Sequence, residues 1–221
     1  MDGKRTLYGR RRGRRLRAHR QQQVDQWLPR LSIDLDRVAG DPAALFGRPV
    51  RDIWLEVGFG GGEHLVRQAA LHPDIGFIGC EPYLAGVARL IGQIDGSAAA
   101  PDNIRIFTDD ARLLIERLPA ASIGRVFILF PDPWPKNRHH RRRFIAPAQL
   151  DALARVMRAG AELRVATDHM DYLRWILFHC LGHDGFHWLA RGPADWRHRP
   201  PDWPPTRYED KALARGEFCA Y

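Results

Sequence analysis

Two stretches of this chain carry residue types that can do chemistry at one shared site. Residues 126–144 read VFILFPDPWPKNRHHRRRF, where an apolar run stops at alternating prolines holding Asp132 and Trp134 between them, and a burst of cations follows. A carboxylate ending a buried strand can accept hydrogen bonds from a heterocycle, the prolines restrict the backbone around it, and an indole offers a stacking face. Residues 55–65 read LEVGFGGGEHL, in which glycines let backbone approach a ligand closely and Glu56 stands just before them. The dinucleotide spacing G-x-G-x-x-G fails, because counting from Gly58 and Gly60 its third position falls on Glu63. A carboxylate at Glu56 repels a pyrophosphate but suits an ammonium or a sulfonium, so the loop fits S-adenosylmethionine better than NAD.

The elements that must position these residues alternate along the chain. VRDIWLEVG reads as a first strand, followed by strands over IGFIGCE, NIRIFT, RVFILF and AELRVATD. Helical patterns over YLAGVARLIGQI, DARLLIERL, PAQLDALARVMRAG and MDYLRWILFHCLG fall between and after them, and VDQWLPRLSIDL is weakly helical. GFHWLA and GEFCAY read as two further strands across the Pro-rich ADWRHRPPDWPP. Strand and helix in alternation give right-handed crossovers and a parallel sheet with helices on both faces. Ligands of such sheets bind outside the carboxyl ends of the strands, and Glu56, Gly58, Glu81, Asp110, Asp132 and Asp168 all fall there. Glu81 can accept from both hydroxyls of a ribose and Asp110 from an adenine amino group. Any one of these acids alone is equally a helix cap; Asp168 before His169 is a ready example.

Composition narrows the partner. The chain has 221 residues and 45% hydrophobic content, enough for one sizeable core, and we expect a single domain over residues 22–221 behind a basic flexible arm over residues 1–21. No apolar run approaches the roughly 20 residues of a membrane helix and no signal-peptide core follows the first cations, which points to the cytoplasm. Three separated cysteines and two adjacent histidines, His139 and His140, suggest neither a disulfide framework nor a metal site. With 34 Lys+Arg against 26 Asp+Glu, a net charge of +8 and a pI near 10.0, a polyanion is the expected partner. Its phosphates fit Arg11, Arg12, Arg14 and Arg15 in the arm and Arg138, Arg141, Arg142 and Arg143 after Trp134; a solubilising tail and a solvated charged face are the alternatives.

LEVGFGGG, GCEPY, TDDA, FPDPWPKNRHHRRRF, ATD and TRYEDKALARGE, in this order and spacing, resemble the bacterial tRNA (guanine-N7)-methyltransferases from residue 55 to the C-terminus. The resemblance implies a Rossmann-like class I methyltransferase, α/β, with a mostly parallel seven-stranded sheet, an antiparallel last strand and helices on both faces. It implies transfer of the S-adenosylmethionine methyl group to N7 of guanine 46 in the variable loop of tRNA, by a monomer or homodimer away from membranes. It also implies that Glu56, Gly58, Gly60, Glu81, Asp110 and Asp132 line the cofactor site. Lys136, Asp168, Thr206, Arg207, Tyr208 and Glu209 then meet the substrate nucleoside. Guanine N7 has an in-plane lone pair and needs no general base, so the candidate catalytic residue, Asp132, acts by positioning: it can accept from guanine N1–H and the 2-amino group. An exocyclic-amine methyltransferase shares the fold but places its prolines differently. A non-enzymatic RNA-binding protein leaves Glu56, the glycines and Glu81 without purpose, and a nicotinamide dehydrogenase is disfavoured by the misplaced third glycine.

Overall fold

The computed structural model describes residues 7–9, 11, 13–97 and 101–221. Five parallel strands, β1 (Asp52–Val57), β2 (Ile75–Cys80), β3 (Ile104–Phe107), β4 (Ile123–Leu129) and β5 (Met157–Ala166), lie in the order β3-β2-β1-β4-β5. The direction of winding reverses between β1 and β4, and the crevice at that switch point opens above their carboxyl ends. Both faces are covered, which is why β2 is buried throughout and β1 from Ile53 onward, polar Glu56 included. Leu55, Ile78, Val126 and Ile128 pack into one apolar layer, and Trp54, Phe77, Ile104 and Phe127 into the other.

The helices are α1 (Ala18–Leu31), α2 (Leu35–Val38), α3 (Glu63–Leu71), α4 (Leu84–Asp95), α5 (Ala111–Arg117), α6 (Pro147–Val156), α7 (Met170–Leu181), α8 (Ala194–Arg197) and α9 (Arg207–Ala214). None of the described helices is long and apolar enough to cross a membrane. α1 runs across residue 21, where the arm was expected to end, and docks on α4: Gln23 Nε2 and Trp27 Nε1 donate to Asp95 at 2.6 and 2.8 Å.

The sheet is Rossmann-like, as expected, with five strands in place of seven among the described residues. GFHWLA forms no ladder, and Trp188 and Leu189 stand 52% and 71% exposed. GEFCAY contributes one antiparallel bridge, Thr167 with Ala220. The chain there has too little extended length: Gly216 turns at φ 70°, the Glu217 N–H returns to the Ala212 carbonyl at the end of α9, and the Tyr221 N–H donates to Trp196. A second difference concerns Gly160, expected to end α6. The helix stops at Val156, because Met157 already pairs with Ile123; Gly160, at φ 78°, lies inside β5 where the register shifts before Arg125 meets Glu162.

Candidate active site

The glycine loop leaves β1 by turns that a side chain resists. Gly58 and Gly60 hold φ of 75° and 58°, in the left-handed region where only glycine sits without strain. Close packing fixes the loop from outside, since a Cβ on Gly86 of α4 would stand 2.3 Å from the Gly60 carbonyl oxygen. Glu81, following β2, ties the loop to the neighbouring strand: its two oxygens accept from the Gly60 and Tyr83 N–H groups at 2.8 and 2.9 Å. Burial pushes the Glu81 carboxyl above its ordinary value, opposed by those two hydrogen bonds and reinforced by the charges of Asp132 and Glu56.

After β3, Asp110 caps α5, accepting from the Arg112 N–H at 3.0 Å, and its oxygens are forked by the Arg112 guanidinium at 2.9 and 2.5 Å. After β4, the chain enters FPDPW. Phe130 and Trp134 on either side of Pro131, Asp132 and Pro133 adopt φ of 50° and 44°, uncommon for any non-glycine and costly for bulky rings. Asp132 opens onto solvent through the hollow, yet the walls around it push its carboxyl up from the usual carboxylate range.

Arg143 holds this strained turn in place. Its Nε donates to the Pro133 carbonyl at 2.8 Å, its Nη2 meets Asp171 at 2.5 Å, and it lies over the rings of Tyr172 and Trp175 at 4.9 and 5.1 Å. It borders the hollow, but at 3% exposure and with Nε and Nη2 paired it offers a phosphate little surface. The expectation of an RNA-backbone contact at Arg143 is therefore replaced by that of an anchor, because its guanidinium is desolvated under aromatic rings and already paired.

These strand ends converge. Gly58, Gly60, Glu81, Asp110 and Asp132 line one hollow of about 320 Å3 at the switch point, with Val57 and Ile128 among its apolar walls. A family described as "Putative methyltransferase" matches residues 50–219. A Rhodospirillum rubrum protein named tRNA (guanine-N(7)-)-methyltransferase is 52% identical over 219 residues, covering 97% of this chain and 85% of that protein. Proteins of the same name from Chelativorans sp. and Roseobacter denitrificans are 48% and 51% identical over 98% of this chain and 93% and 94% of their own lengths. The chain belongs to the tRNA (guanine-N7)-methyltransferase family.

In this methyltransferase the other expected residues divide by location. Arg207, Tyr208, Arg141 and Arg142 line the same hollow, and a Cβ on Gly60 would come within 3.0 Å of the Tyr208 ring. Thr206 and Glu209 do not line it. They form the capping box that starts α9, and the buried Glu209 also accepts from Arg199 at 3.0 Å and from the Tyr221 hydroxyl. Asp168 pairs with Arg215 at 3.3 Å outside the hollow, and Lys136 and Arg138 are exposed and do not line it. Glu56 is likewise absent from the lining; its carboxylate turns to His64. Arg11 pairs with Asp109 at 2.5 Å, Arg14 and Arg15 border a shallow dent beside Leu84, and Arg12 lies outside the described residues.

Sequence reasoning missed Tyr8 and His64. Leu7, Tyr8 and Gly9 form part of the hollow's wall; Tyr8 meets Trp134 edge-on, and the Arg142 guanidinium lies against both rings at 4.6 and 5.0 Å. The signal was available: Leu7 and Tyr8 are apolar residues set among cations. Among the described residues, no group of three or more His, Cys, Asp or Glu is placed to hold a metal ion.

Proposed function

We propose that this protein methylates N7 of guanine 46 in the variable loop of tRNA, using S-adenosylmethionine, and yields 7-methylguanosine and S-adenosylhomocysteine. The observation that carries the reading is the convergence of the glycine loop, Glu81, Asp110 and Asp132 on one hollow at the switch point, in a chain of this family.

The residues present fit the cofactor. Left-handed glycines clear space for a ligand over Gly58, where a Cβ would meet nothing within 4 Å, and the walls mix carboxylates with apolar side chains. Glu81 would hold the ribose hydroxyls with the lone pairs its two backbone donors leave free, and Asp110 would accept from the adenine amino group. When bound, S-adenosylmethionine supplies an electrophilic methyl group on a sulfonium. Guanine N7 would take that group through its own in-plane lone pair. No proton has to leave first, so the protein's task is geometric: alignment of reacting atoms can supply on the order of 7–11 kcal/mol.

Asp132 does that aligning by accepting from guanine N1–H and the 2-amino group, and its carboxylate tolerates the cationic product. Trp134 gives the everted base a stacking surface, Arg207 and Tyr208 close over it, and Arg141, Arg138 and Lys136 meet the flanking phosphates. Thr206 and Glu209 act behind them as the cap that holds α9. The setting is cytoplasmic. Incubation with labelled methyl donor and unmodified tRNA, followed by nuclease digestion and mass spectrometry, is expected to give labelled 7-methylguanosine; label in N6-methyladenosine, or none, rejects the reading.

A further inference from the structure

Glu56 is the last residue but one of β1 and His64 the second of α3, so the two flank the glycine loop. His64 Nδ1 lies 2.7 Å from Glu56 Oε2, and the side chains are only 2% and 5% exposed. The contact closes the intervening chain into a ring whose middle, Gly58 and Gly60, faces the hollow. A loop with Gly58, Gly60 and Gly62 all at positive φ has much freedom to lose on ordering, so a bond across its ends matters more than it would in a stiffer segment.

The His64 ring is itself immobilised. It meets Phe127 at 4.6 Å and Trp203 at 5.3 Å, both edge-on. One turn further, Gln68 Nε2 donates to the Asp202 carbonyl at 2.8 Å, so this face of α3 also holds the segment leading into α9, where Arg207 and Tyr208 lie. Val57 and Gly58 line the hollow while Glu56, the residue before them, does not.

We propose that Glu56 and His64 are positioning residues whose contact buckles the two ends of the glycine loop into its cofactor-binding shape, and that Glu56 does this in place of holding the cofactor's ammonium. The inference rests on reading the hollow as the cofactor site. The two roles for Glu56 separate by ligand chemistry. A carboxylate that touches an ammonium matters only for ligands with an amino-acid tail; loop shape matters for anything seated over the glycines.

The test is calorimetric titration of the full chain and the variants His64→Asn, His64→Leu and Glu56→Gln with two ligands. S-adenosylhomocysteine carries the amino acid, whereas 5′-methylthioadenosine keeps the nucleoside and thioether without it. Asparagine can place a donor where Nδ1 stands, and glutamine keeps an acceptor towards His64. His64→Leu is expected to weaken both ligands alike, about tenfold, as for a lost hydrogen bond to a charged group. His64→Asn and Glu56→Gln are expected to retain most of the affinity for both. Glu56→Gln weakening S-adenosylhomocysteine alone would return Glu56 to the ammonium and overturn the buckle, as would unchanged affinities in His64→Leu. Wild-type protein that binds neither ligand would overturn the cofactor reading itself.

Discussion

At Asp132 and Glu81 the protein keeps two carboxyl groups whose proton affinity burial has raised. A raised folded-state pKa means the folded chain binds the proton more tightly than the unfolded one. The stability these groups contribute is therefore fully present below their unfolded pKa and lost as pH rises through the folded values. In the proposed role of Asp132 activity runs the other way, because only a carboxylate could accept two hydrogen bonds from guanine. The acid limb of kcat/KM is expected above the ordinary aspartate range in wild type and absent in Asp132→Asn; a limb at the ordinary aspartate value in wild type would argue against this. Asp132→Asn should lower kcat/KM on the order of a hundredfold, from the loss of charge-assisted hydrogen bonds, with melting temperature unchanged because the side chain is exposed to solvent. Asp132, Glu81 and Asp110 were legible in the sequence because apolar runs mark where strands end. Arg143 and Glu209 were not, since a charged residue beside a turn reads as solvent-facing and nothing local announces the aromatic rings or the tyrosine hydroxyl that will enclose it.

Elements divide the labour differently. α9 carries Arg207 and Tyr208 into the hollow, and its start depends on the reciprocal Thr206 and Glu209 cap, with Glu209 N–H donating to Thr206 Oγ1 at 3.3 Å. Thr206→Ala is expected to cost about 1 kcal/mol. The shift should appear as a raised KM for tRNA larger than the small fall in melting temperature implies; an unchanged KM would detach α9 from the substrate. The turn after β4 offers a sharper contrast. If Arg143 is an anchor, Arg143→Lys lowers kcat without changing the salt dependence of tRNA binding. A phosphate contact would instead reduce the log–log salt slope by about one. The central strands were readable from their apolar runs. The two terminal segments were not, because alternation in GFHWLA and GEFCAY signals a capacity to pair and says nothing of whether a neighbouring edge lies within reach. Gly216 spends the needed residues on closing α9.

For the whole molecule, the first residues do two things that composition merged into one. Their cations suit a polyanion, as the net charge of +8 suggests, but Leu7, Tyr8 and Gly9 also complete the hollow, and the Leu84 N–H donates to the Arg11 carbonyl at 3.2 Å. Removing residues 1–17 spares α1 and is expected to reduce both the salt slope of tRNA binding and the affinity for S-adenosylhomocysteine. Loss of slope with an unchanged calorimetric Kd would leave the segment a role in RNA binding alone. The crowded dihedrals at Phe130 and Trp134 carry a consequence for anyone breeding this enzyme in the laboratory. Glycine at either position would relax the backbone but delete a ring that packs, Phe130 on an apolar layer and Trp134 beside Arg142, so a lineage selected only for survival at high temperature should keep both aromatics. Heat tolerance and turnover then share that corner, and a screen for either will defend the same two rings.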